Sequence, residues 1–92
     1  MLSQIPIDLS KTSKEARDTE ILRAGIIAEL DAINLYEQMA ALAQGNKVKA
    51  VLMDIAKEEK THVGEFQALL LEHDKEQVAE LAKGKEEVDE LG

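Results

Sequence analysis

Two apolar stripes of helical spacing, divided by a single break, constrain this chain more tightly than anything else in it. The first runs Leu22, Ile26, Glu29, Ile33, Tyr36, Ala40, Ala43, and the second runs Val48, Leu52, Ile55, Glu59, His62, Phe66, Leu69. Each advances in steps of four and three, which gathers its members on one face of an α-helix. Between the stripes stand Gly45 and Asn46, a helix stop followed by a residue suited to the N-cap. So short a connection turns the second helix back along the first as an antiparallel hairpin.

Capping signals set the expected bounds. Met1 to Thr12, with Pro6, reads as an extended leader over 1–12. Thr12-Ser13-Lys14-Glu15 has the form of a capping box, so helix one is expected over 13–44, roughly 45 Å at 1.5 Å per residue. Helix two is expected over 47–73. Asp74-Lys75-Glu76-Gln77 offers a second capping box, opening a third helix over 75–91 with Val78, Leu81, Val88 and Leu91 on one side. Gly84 weakens its middle. With 92 residues and no internal repeat, the chain is one small domain. The fold class is all-α: a two-helix hairpin plus a short C-terminal helix.

Composition removes several functions. A net charge of −8 argues against nucleic-acid binding through phosphate neutralisation. The absence of cysteine removes disulfides, thiolate nucleophiles and iron–sulfur ligation. No signal peptide is visible at the N-terminus, and charges interrupt every apolar run before it reaches membrane-spanning length. A soluble, cytoplasmic protein is the expectation.

Three members of the stripes do not belong in an aliphatic core. Glu29, Glu59 and His62 occupy positions where Leu and Ile stand above and below. A bare carboxylate in a core costs several kcal/mol and persists mainly when paired or bound to metal. Glu59-Lys60-Thr61-His62 places a carboxylate and an imidazole one turn apart, the Glu-x-x-His spacing by which helix bundles hold di-iron or di-manganese centres. The midpoint between Glu29 and His62 falls at the Gly45–Asn46 turn, so the two lie level across the hairpin, with Glu59 within one turn. Either residue type alone reads as a snorkelling or hydrogen-bonded structural residue; at one level they read as a metal site.

One hairpin supplies only half of such a site, and it cannot cover its own apolar stripes. A twofold axis pairing two hairpins into a four-helix bundle removes both deficits. Four carboxylates then balance two iron(II) ions, two per dimer. The mixed carboxylate and imidazole donors suit iron or manganese, accept zinc and disfavour calcium. Tyr36, two turns from Glu29, is either a core aromatic with its hydroxyl satisfied by a carboxylate or a redox or supporting group beside the ligands. Glu58, Glu65, Glu72 and His73 read as solvated, with His73 suited to the helix C-terminus.

Ala28-Glu29-Leu30-Asp31-Ala32-Ile33-Asn34-Leu35-Tyr36 together with Glu58-Glu59-Lys60-Thr61-His62-Val63-Gly64-Glu65-Phe66 closely resembles the encapsulated ferritin family, two-helix relatives of ferritin that accompany encapsulin shells. The resemblance implies a ferroxidase that oxidises iron(II) with dioxygen at a centre shared by two chains and feeds iron storage. It implies Glu29, Glu59 and His62 as catalytic iron ligands, Tyr36 as the tyrosine beside them, and assembly as a decamer of five dimers inside an encapsulin nanocompartment. Some relatives carry acidic residues at both positions matching 28 and 31 as an access site for iron; here Ala28 leaves Asp31 alone. Some carry tryptophan where this chain has Leu35. Relatives reach the shell by a C-terminal targeting peptide or by fusion to the shell protein. This sequence stops at Leu91-Gly92, as expected of a shortened chain, a domain of a fusion, or a protein that works without a shell.

Three functional classes compete: the ferroxidase, a non-catalytic manganese, zinc or iron binder, and a structural dimerisation module whose polar groups set register. Oxygen consumption with iron(II) separates the first two. The third predicts no tight metal binding, and a Glu59→Ala variant at least as stable as the parent.

Overall fold

The computed structural model describes residues 8–92. Among these are three α-helices and no strand: α1 Arg17–Leu42, α2 Asn46–His73 and α3 Lys75–Asp89, preceded by a 3-10 turn at Leu9–Lys11. Positions 1–7 of the expected leader lie outside the described residues. The part that is described is turned and not extended, because the Asp8 side chain accepts from Ser10 N at 3.0 Å and holds the turn locally.

Helix α1 begins four residues beyond Ser13. Ser13 Oγ does accept from Ala16 N at 3.2 Å, but that bond closes a turn over 14–16, and Glu20 N to Ala16 O at 3.1 Å starts the α-helix. Asp18 and Glu20 in the first turn then complement the positive end of the helix dipole. At the other end α1 stops at Leu42 and Ala43 turns extended. Gly45, with φ −79° and ψ 132°, serves as the N-cap of α2, and Asn46 is its first residue. The cap therefore falls one position before the asparagine. The Gly45 carbonyl accepts from Lys49 N at 3.0 Å, which starts the ladder without side-chain help.

The facing surfaces follow the first stripe closely and the second only in part. Leu22, Ile33 and Ala40 are buried on α1, whereas α2 buries Ala56 and Leu70. Val48 and Leu69, members of the α2 stripe, are 54% and 47% exposed. A strict seven-residue rhythm drifts by about 20° per heptad on a straight helix, so over three heptads the inward position passes to the next residue. Across the hairpin Lys60 Nζ meets Glu37 Oε2 at 3.1 Å, a pair that favours this register.

Asp74 organises the start of α3. Its Oδ1 accepts from Gln77 N at 3.0 Å as an N-cap, while Oδ2 receives Arg23 of α1 at 3.0 Å. Beyond that junction α3 stands away from the hairpin. The principal extents are 46 × 43 × 20 Å. Two helices side by side account for about 20 Å, and the 15 residues of α3 add about 22 Å to the second dimension. An open apolar groove remains where Ile26 and Ile27 of α1, Leu70 of α2 and Leu81 of α3 face one another. Every residue from Val78 to Gly92 is exposed.

Two outcomes are expected. Asp74→Ala removes a cap of about 1 kcal/mol, so amide exchange of the first turn of α3 should accelerate several-fold while the centres of α1 and α2 keep their protection; unchanged exchange at Gln77 would show that the cap contributes nothing. A single chain also leaves Leu30 half exposed and Val51 58% exposed, apolar surface that a second chain would cover. Sedimentation should find dimers or larger species at micromolar concentration, with divalent metal raising their share, and a folded monomer indifferent to metal would contradict the reading.

Candidate metal centre

Glu29 sits at the middle of α1, and Glu59 and His62 sit near the middle of α2. Mid-helix positions are the most rigid available, since fraying is confined to the ends. The antiparallel register sets Glu29 opposite His62, and the single turn between Glu59 and His62 brings the second carboxylate to the same place. His62 Nδ1 lies 3.5 Å from Glu29 Oε2 and 3.5 Å from Glu59 Oε2. One ligand atom from each of the three falls within 4.8 Å of the others.

These distances exceed a good N–H···O hydrogen bond, which lies at about 2.7–3.2 Å. They suit donors around one cation: ligands about 2.1 Å from a first-row metal at tetrahedral angles stand about 3.4 Å apart. Glu29 Oε2 adds a second indication, being buried with no hydrogen-bond partner. Such an orphaned carboxylate oxygen costs free energy unless a cation or donor reaches it. Two carboxylates and one imidazole are donors that iron, manganese and zinc all accept. By donor type and by spacing, the residues fit a metal.

Burial is less complete than an enclosed core would give. The side chains of Glu29 and Glu59 are each 19% exposed and that of His62 is 44% exposed. The cause is the hairpin's single internal interface, which leaves one side of the stripe open. On that side Glu29, His62, Glu65, Phe66 and Leu69 line one cleft. Glu65 was read from the sequence as a solvated residue; it is exposed, yet it borders the cleft. Its position three residues after His62 was the available signal.

Tyr36 is half-buried on the same face of α1, about 10 Å along the helix from Glu29 toward the hairpin turn. Asp31 is partly buried but stands outside the three-residue cluster. It stands two positions beyond Glu29, which rotates it about 200° around the helix. Glu58 and His73 are exposed. Among the described residues no helix is long and apolar enough to cross a membrane.

Comparison with known proteins places the chain in a family. Residues 6–87 match the EncFtn-like family. A ferritin-like–encapsulin shell fusion protein of Pyrococcus furiosus is 65% identical over 72 residues, which cover 78% of this chain and 21% of that protein. The encapsulin nanocompartment cargo protein EncC of Myxococcus xanthus is 37% identical over 73 residues, covering 76% of this chain and 56% of that one. The chain thus spans a fifth to about half the length of these relatives. The crystal structure of an encapsulated ferritin domain from Pyrococcus furiosus superposes with a TM-score of 0.85 at 56% identity, covering 99% of this chain and 95% of that one. The three-helix, strand-free architecture is that of this domain, and the chain belongs to the EncFtn-like family.

Proposed function

We propose that the protein is a ferroxidase, and that Glu29, Glu59 and His62 are its iron ligands. The observation that carries this reading is the level-matched cluster of two carboxylates and an imidazole around an orphaned buried carboxylate oxygen. Three donors from one chain leave coordination positions to fill and an open cleft beside them. A second hairpin related by a twofold axis supplies three more donors and covers the exposed stripe at once. Two carboxylates per chain then balance one iron(II) per chain.

Iron(II) is the substrate. Each of two paired ions gives up one electron, and dioxygen accepts both, reaching the reduction level of peroxide with two protons taken from solvent. The chain's own task is to hold two cations close against their repulsion, which four carboxylates do by charge compensation. The neutral imidazoles complete the donor set without adding charge. Tyr36 stands on the same face of α1, two turns from Glu29, and we assign it a supporting role beside the ligands. Asp31, on another face of α1, fits an approach route for iron better than a ligand position.

The relatives named for encapsulin, one a shell fusion and one a nanocompartment cargo, support a second part of the proposal: the domain works inside an encapsulin shell in the cytoplasm. A bundle of short hairpins has no interior to hold mineral. The shell would receive the iron(III) that the site produces.

Iron-loaded crystals should show two metals per dimer, about 3.5–4 Å apart, held by Glu29, Glu59 and His62 from both chains; a pair held within one chain would sink the dimer arrangement. In solution the isolated protein should consume dioxygen with iron(II), and Glu29→Ala, Glu59→Ala and His62→Ala should each lower the rate by about 10²-fold or more. A protein that binds iron(II) at the site but consumes no oxygen would be a metal carrier. At high aerobic loading iron(III) should precipitate unless shell protein is present. Hundreds of soluble ions per bare chain would refute the division between oxidation and storage.

A further inference from the structure

Gly25 is a helix-interior glycine that no backbone conformation requires, since the only positive φ among the described residues belongs to Gly92. Glycine is a poor helix former, and at Gly25 its missing side chain makes room for a close contact from the other helix. That contact is Phe66. A Cβ on Gly25 would lie 3.1 Å from Cε1 and Cζ and 3.2 Å from Cδ1 of the ring. Gly64 and Gly84, also within helices, have open space where a Cβ would go. Only Gly25 has its empty side filled by another helix.

The location gives the contact its meaning. Gly25 is one turn before Glu29 on α1, and Phe66 is one turn after His62 on α2. The Gly25–Phe66 pair is thus the next layer of the hairpin, in the same register as the Glu29–His62 pair. One side of the ring rests on α1, and the ring also lines the cleft of about 410 Å³ that it shares with Glu29 and His62. A ring displaced from Gly25 has that cleft as its free space.

We propose that Gly25 and Phe66 are a positioning pair for the metal ligands. The glycine seats the ring against α1, and the seated ring fixes the helix spacing one turn from Glu29 and His62 and keeps their cleft open to the cation. This rests on the ligand role proposed above. Gly25→Ala obliges the ring to give by a few tenths of an ångström, with the cleft on its open side, while Phe66→Leu shortens the side chain that the new methyl group would strike.

Cobalt(II) titration of the full chain, followed by calorimetry and by its visible absorption, reads the effect without turnover. Gly25→Ala should weaken cobalt(II) binding about tenfold, the scale on which residues supporting ligands act. Adding Phe66→Leu to Gly25→Ala should return the affinity and the absorption bands to near the parent values. Phe66→Leu alone, which adds no atom to the interface, should weaken binding several-fold with helix content intact, and it decides the matter if Gly25→Ala fails to fold. Parent-like affinity in the folded single variants, or no recovery in the double variant, would overturn the pairing. A parent protein that takes up no cobalt(II) would remove the ligand reading itself, and this inference with it.

Discussion

Each helix of the hairpin has a neighbour on one side only, so a single interface must bury what it can of two apolar stripes. Leu22, Ile33, Ala40, Ala56 and Leu70 are buried, and only Ala56 approaches complete burial at 1% exposure. Everything that gives the molecule its chemistry lies along the edge of that interface. An enclosed core would demand that Glu29, Glu59 and His62 be neutralised or replaced, because ionised groups there lose their hydration without return. At a half-open edge they keep part of their hydration, and under the proposed function the cost of covering them is deferred until a cation and a second chain arrive together. Metal binding and association would then share one free energy, as they do in small metal-dependent domains.

The same edge sets the division of labour between chain regions. Salt bridges such as Lys60–Glu37 and Arg23–Asp74 lie on the surface, where each contributes at most about 1 kcal/mol. Their use is to favour one register and to tie the α3 junction to α1, and register is what brings Glu29 level with His62. A one-residue slip along either helix would rotate a ligand by 100° and dissolve the cluster. The Gly45 cap and the extended residues from Ala43 therefore matter to the site although they lie far from it, because the length of that connection fixes the register.

Much of this was legible in the sequence, and for identifiable reasons. The break at Gly45 and the Glu-x-x-His spacing are local signals, and counting outward from a short turn converts them into a level across two helices. The Asp74 capping box was legible in the same way: its predicted bond to Gln77 N is present at 3.0 Å. Features decided by tertiary packing were not legible. A stripe counted in sevens names Val48 and Leu69, but both are about half exposed and α2 buries Ala56 and Leu70, the second of these where the drift of a straight helix has accumulated over three heptads. The late start of α1 reflects a competing local bond, Ser13 Oγ to Ala16 N, that closes a turn before the helix can begin. Gly25 carried no signal at all in isolation. Its meaning appears only when Phe66, forty-one residues later, is seen resting on it.

That pairing of the smallest residue with a large aromatic also bears on how so short a chain can hold ligands accurately. Site geometry must be held to within a fraction of an ångström by neighbours whose own conformations are locked, and a 92-residue chain has few neighbours to offer. A bundle with a full core can fix a ligand by packing on all sides. Here Glu29 and His62 have α-helical backbone beneath them, one another across the interface, and an open cleft on the remaining side. The layer one turn away must supply the stiffness that the missing side cannot. In the proposed dimer the second hairpin would close over ligands that are already in register, so that it would complete the site instead of having to build it.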